Sequence, residues 1–76
     1  MKTKERIIID AKIQHGKPVI RGTRMTVARI MGSLAGGMTR EEIILEYGIT
    51  DEDINAALAY AAEIIESQEF HSLPVN

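Results

Sequence analysis

Met38–Ile65 reads MTREEIILEYGITDEDINAALAYAAEII, and its punctuation decides the fold. Thr39 and Glu42 stand at the S/T-x-x-E spacing of a capping box, in which each side chain bonds the other residue's backbone N–H, and Met38 can staple onto Ile43. Gly48 is placed to close that helix. After only Gly48-Ile49-Thr50 the signals repeat: Thr50 caps, Asp53 sits three residues on, and Ile49 can staple onto Ile54. The helix that follows presents Ile54, Ala57, Leu58, Ala61, Ile64 and Ile65 on one broad face and is predicted to run to about Gln68. Two helices joined by a three-residue turn containing glycine have the outline of a helix-turn-helix, with Ile43, Tyr47, Ile49, Ile54 and Ala57 as the apolar positions that lock the pair.

Upstream, Thr26 can cap a third helix whose apolar positions Val27, Ile30, Met31, Leu34 and Ala35 form one buried stripe, and Gly36-Gly37 stop it. Gly32 and Ser33, small residues inside that helix, predict the close approach of another backbone. The first third reads as extended: Arg6 to Asp10 encloses Ile7, Ile8 and Ile9, and Val19-Ile20 lie between Pro18 and Gly22. Pro18 favours an edge position. The expected architecture is therefore mainly α, a single domain over 1–76. A short β element occupies about 6–22, helices occupy about 26–36, 39–47 and 50–68, and 69–76 is a tail.

A chain of 76 residues buries only about 60% of the surface its unfolded form exposes, so its stability is marginal. With no cysteine, neither a disulfide nor a thiolate metal site can staple it, and oligomerisation is the available supplement; a homodimer is expected. The sequence has no run of roughly 18–20 apolar residues and no apolar signal segment in MKTKERIIID, which reads as a cytoplasmic protein without a membrane partner.

The net charge of −2 hides a dipolar chain. All nine lysines and arginines lie in residues 1–40 beside only Glu5 and Asp10, while residues 41–76 carry nine acids and no lysine or arginine. Either the two halves attract each other, within one copy or across a dimer, or the first half meets an anionic partner. In HGKPVIRGTRMTV, His15–Val27, the cations Lys17, Arg21 and Arg24, with Arg29 just beyond, are the candidate contacts for DNA or an acidic protein. Lys17 and Arg21 are expected on the side of Val19, leaving Ile20 for the core, with Lys12, Lys2, Lys4 and Arg6 nearby. Gly16 and Gly22 would serve turns or a close backbone approach, as Gly48 does further on.

The last helix is a poor reader of DNA. Its first turn, Asp51-Glu52-Asp53, would meet phosphate repulsion, and acids there suit the helix dipole instead. His15 and His71 have no partner at metal-ligand spacing, and neither a phosphate loop nor a nucleophile elbow is present. A non-enzymatic protein with no cofactor, metal or small-molecule substrate is expected. The alanines of INAALAYAAEII make the last helix smooth on more than one face, and Phe70, Leu73 and Val75 give the tail the means to dock on the domain, a dimer mate or another protein.

GKPVIRGTRMTV, followed by LAGGMTREEIILEYGITDEDINAALAYAAE, resembles the domain of unknown function 433 family of small prokaryotic proteins over roughly His15 to Ile65. The resemblance implies a short β element ahead of a homeodomain-like trio of helices. It also implies the antitoxin half of a toxin–antitoxin pair whose other member carries a PIN-like nuclease domain. The expectation is a homodimeric, non-enzymatic regulator that binds such a nuclease, with DNA as a second partner; Arg21 or Arg24 entering a carboxylate-lined nuclease site would inhibit it. The alternative is a protein–protein interaction module without nucleic-acid binding, its helix pair purely structural.

Overall fold

Each of the three long helices begins where a threonine satisfies the backbone N–H groups that the first turn leaves free. The computed structural model describes residues 3–67, and in it Thr26, Thr39 and Thr50 precede helices α2 (Val27–Ala35), α3 (Arg40–Tyr47) and α4 (Asp51–Ser67). Thr26 Oγ1 accepts from the Arg29 N–H at 3.0 Å. At Thr39 the capping box is complete: Glu42 N–H donates to Thr39 Oγ1 at 3.1 Å and Thr39 N–H to Glu42 Oε1 at 2.8 Å. Gly48 closes α3 in the left-handed region, φ 67°, its N–H returning to the Ile44 carbonyl.

Ahead of them lie a helical turn α1 (Thr3–Arg6), strand β1 (Ile7–Ile8), a 3-10 turn at Gln14–Gly16 and strand β2 (Val19–Ile20). The strands pair antiparallel, Ile7 opposite Ile20 and Ile8 opposite Val19. The sheet is shorter than the expected extended segment because Arg6 is already helical and Ile9, 62% exposed, has left the ladder. A tight turn follows β2, with the Thr23 N–H donating to the Ile20 carbonyl at 3.0 Å and Gly22 at φ 81°, the position that demands glycine in a type II turn. The chain then returns along β2, placing Thr26 opposite Val19.

The expected side of Val19 is corrected by its burial. Val19 and Ile20 point to opposite faces of β2 and both are buried, so the strand is covered on both faces and alternation marks no outward side. The close backbone approach expected at Gly32 is absent as well: a Cβ built there meets nothing within 4 Å, and the residue faces outward.

Ile30, Ile43 and Ile54, one from each long helix and all fully buried, meet at the centre with Ile7, Ile20, Val27, Ile49, Ala56 and Ala57. The fold is three helices with a two-stranded antiparallel sheet at the N-terminus, mainly helical as expected. The broad face predicted for α4 is divided, however. Ile54, Ala56 and Ala57 are buried while Leu58, Ile64 and Ile65 are exposed, because α4, about 25 Å long at 1.5 Å per residue, outruns the elements that cover its first half. Gln68 and the expected tail 69–76, with Phe70, His71, Leu73 and Val75, lie outside the described residues.

Candidate functional site

The four cations singled out from the sequence flank β2 and open α2, and they address different neighbours. Lys17 precedes β2 and borders a groove between α2 and α4. Arg21 follows β2; its N–H donates to the Arg6 carbonyl at 2.7 Å and its Nε to the Glu5 carbonyl, so the side chain is drawn onto the end of α1. Arg24 lies on the exposed loop before α2, where its carbonyl accepts from Gln14 Nε2 at 3.2 Å. Arg29, in the first turn of α2, sets its guanidinium over the Tyr47 ring, 5.5 Å from the centroid. None of the four forms an ion pair with a described acid.

The loop carrying them is shaped by backbone that few residues adopt. Gln14, His15 and Gly16 have φ of 50°, 57° and 83°, and Gly22 and Gly48 are also positive. A glycine is needed at Gly16 and Gly22 for that conformation rather than for space, since a Cβ at Gly16 would meet only the Ala11 Cα at 3.8 Å and at Gly22 nothing within 4 Å.

Two other cations pair with acids of the second half and account for part of the charge asymmetry. Arg6, expected beside the basic surface, donates from Nη1 to Asp53 Oδ1 at 3.0 Å. Asp53 in turn accepts the Thr50 N–H on Oδ2 at 3.0 Å, while its own N–H donates to Thr50 Oγ1 at 3.1 Å, a capping box with aspartate at the third position. Arg40 donates to Asp51 Oδ1 at 2.8 Å and to Asn55 Oδ1 at 2.9 Å, tying the start of α3 to the start of α4. The Asp51-Glu52-Asp53 turn is thus a structural junction in addition to a dipole complement. Thr50 and Asp53 were legible as a cap, but the Arg6 partner, 47 residues away, was not.

Between α2 and α3, Ser33 Oγ and the Tyr47 hydroxyl are 2.8 Å apart. This contact first, and then Arg29, pull the Tyr47 phenol below its ordinary range, against burial and the Glu46 carboxylate. Between α2 and α4 is an open groove of about 340 Å³, bordered by Lys17, Ala28, Met31, Tyr60, Ile64 and Ile65 among others. Nothing in the sequence reading singled it out, because its two walls come from separate helices. Among the described residues no group of three or more histidine, aspartate or glutamate side chains is arranged to hold a metal ion, and no helix is long and apolar enough to cross a membrane.

The chain is 31% identical over 52 residues to the protein named "Putative antitoxin VapB45" of Mycobacterium tuberculosis, a match that covers 68% of this chain and 22% of that protein. Its fold resembles the crystal structure of a DUF433 member protein from Anabaena variabilis, with a TM-score of 0.75 and 31% identity over 80% of this chain and 61% of that one. The crystal structure of Rv2018 from Mycobacterium tuberculosis is also similar, with a TM-score of 0.63 and 31% identity over 68% of this chain and 24% of that one. The chain therefore spans about a fifth of the curated relative that it matches. Residues 7–61, which contain β1, the basic loop, α2, α3 and most of α4, match the model of the "Protein of unknown function (DUF433)" family, and the chain belongs to that family.

Proposed function

We propose that this chain is an antitoxin: a non-enzymatic, homodimeric cytoplasmic regulator that binds and inhibits a PIN-like nuclease. The observation that carries the reading is the exposed Arg24 on the loop before α2, unpaired with any described acid, in a chain related to a protein named as an antitoxin. A guanidinium matches a carboxylate with short, charge-assisted and often paired hydrogen bonds, and a carboxylate-lined nuclease site is where it would act. Arg21, held against Glu5, buttresses the loop and leaves Arg24 to insert.

DNA is the second partner in this reading, met by Lys17, Arg24 and Arg29 through a helix-turn-helix-like body. The start of α4 is excluded from that contact, since the charges of Asp51 and Asp53 are committed to Arg40 and Arg6 and Glu52 would face phosphate unaided.

Inhibition of the cognate nuclease by the purified chain tests the first part. Arg24→Glu is expected to weaken inhibition by about 30-fold or more, the scale of a lost charge-assisted contact at a buried interface; unchanged inhibition rejects the insertion. For DNA, binding to the upstream sequence should fall steeply with salt, and each phosphate-contacting cation removed should reduce the log–log slope by about 1. Inhibition without any salt-sensitive DNA binding would leave a protein–protein interaction module.

A further inference from the structure

Left-handed backbone is uncommon outside glycine, and where other residues adopt it the surrounding structure holds them there. Gln14 and His15 do so in succession, at φ 50° and 57°, ahead of Gly16 at φ 83°. The turn is closed by the Gly16 N–H on the Ile13 carbonyl at 3.0 Å and the Lys17 N–H on the Gln14 carbonyl at 3.1 Å. Those bonds use backbone alone, so glycine or asparagine, which tolerate this region, would serve them at position 14. What neither could supply is reach. The Gln14 side-chain amide extends to the Arg24 carbonyl, ten residues on, at 3.2 Å.

The same peptide is gripped from its other side. Its N–H, that of Met25, donates to Thr23 Oγ1 at 2.9 Å, and the Thr23 hydroxyl donates in turn to the Ile20 carbonyl at 2.8 Å. The Ile20 N–H on the Met25 carbonyl at 2.9 Å closes the loop on itself. Arg24 is exposed, and water could satisfy a carbonyl there at no strain. Two side chains do so instead at the two ends of one peptide, one of them from left-handed backbone, and together they fix the direction in which the Arg24 side chain leaves the loop. We infer that Gln14 and Thr23 are positioning residues, a clamp on the Arg24–Met25 peptide that presents Arg24 in one orientation to the carboxylates of the nuclease. The inference rests on the insertion of Arg24 proposed above and deepens it. A loop ordered beforehand loses less freedom on binding, and affinity scales with the fraction of molecules in which Arg24 is in place.

Amide relaxation by NMR in the free full-length protein and inhibition of the cognate PIN-like nuclease test it together. In the wild type the Arg24 and Met25 amides are expected to be as ordered as a helix, with order parameters of about 0.85, and in Gln14→Asn, whose amide is one methylene too short, to fall to about 0.6 or below. Asparagine tolerates the left-handed region better than glutamine. The melting temperature should therefore stay within about 3 °C of the wild type, while inhibition weakens about 3- to 10-fold. Thr23→Val should weaken inhibition to a similar degree, and Thr23→Ser, which keeps the hydroxyl, should preserve it. In an Arg24→Ala background Gln14→Asn should weaken inhibition no further, because the group that it positions is gone. An equal loss in that background would overturn the inference, as would Arg24 and Met25 amides that are mobile in the wild type or stay ordered in Gln14→Asn. Inhibition weakened by Arg24→Ala but untouched by Gln14→Asn would overturn the clamp and leave the insertion of Arg24 standing. Inhibition indifferent to Arg24→Ala would reject the insertion, and the role of the clamp with it.

Discussion

Asp53 is the residue at which three parts of the molecule meet. Its carboxylate caps α4 through the Thr50 N–H and holds the Arg6 guanidinium at the end of α1, with only 7% of the residue exposed. Replacing it strands a backbone donor and a partly buried cation at once. Asp53→Ala is expected to cost about 2–3 kcal/mol in urea unfolding, combining a lost cap with a lost charged hydrogen bond. Arg6, whose side chain is 42% exposed, recovers water when its partner goes. Arg6→Ala should therefore cost about 1 kcal/mol or less, and the double variant less than the sum; equal single costs would make the ion pair, not the cap, the larger contribution. Gly32 is the opposite case. It lies within α2 with open space where a Cβ would stand, so Gly32→Ala should stabilise by about 0.5–1 kcal/mol and raise the melting temperature. A lower melting temperature would show that the glycine serves a contact made outside this chain. The cap at Thr50 and Asp53 could be read from spacing, because it is local; the ion pair to Arg6 could not, since nothing in the sequence couples positions 47 residues apart.

At the scale of elements, α3 shows how local signals settle a short helix's orientation. Its three successive apolar residues, Ile43-Ile44-Leu45, span about 200° of the helix, so periodicity alone does not choose among them, but the staple position four residues into the helix singles out Ile43. Packing against α2 and α4 selects Ile43, fully buried, and leaves Leu45 84% exposed. Ile43→Ala should cost about 2–4 kcal/mol, a large-to-small change where the cavity cannot collapse. Leu45→Ala should stay within about 0.5 kcal/mol, as at an open surface. Comparable losses in the two variants would mean that Leu45 is covered in solution. The helix boundaries themselves were plain beforehand: Thr26, Thr39, Thr50 and Gly48 each act within one turn of their own position, and the spacing that reveals them is the spacing that makes the bond. The strands were less plain. Val19 was assigned outward by alternation, and it is buried because β2 is covered on both faces, which alternation within two residues cannot reveal.

For the whole molecule, a stability of roughly 0.05–0.15 kcal/mol per residue places a chain this size at about 4–11 kcal/mol, a range in which association matters. If two copies associate as proposed, the melting temperature should climb by roughly 3–5 °C for each tenfold rise in protein concentration. A melting temperature independent of concentration in the wild type would argue that one copy carries its full stability alone.

The sequence by itself determined the starts of the three long helices, the stops of α2 and α3, the turn glycines, the mainly helical class and the family resemblance carried by GKPVIRGTRMTV, because each rests on bonds or patterns that close within a few residues. Only the tertiary structure decided which cations remain available. Arg6 and Arg40 are spent on Asp53 and Asp51, while Lys17, Arg21, Arg24 and Arg29 meet no described carboxylate, Arg21 bonding only the Glu5 carbonyl and Arg29 lying over the Tyr47 ring. Charge counts are additive along a chain, but the field that a partner meets depends on which charges have already found each other in space, and that follows from packing.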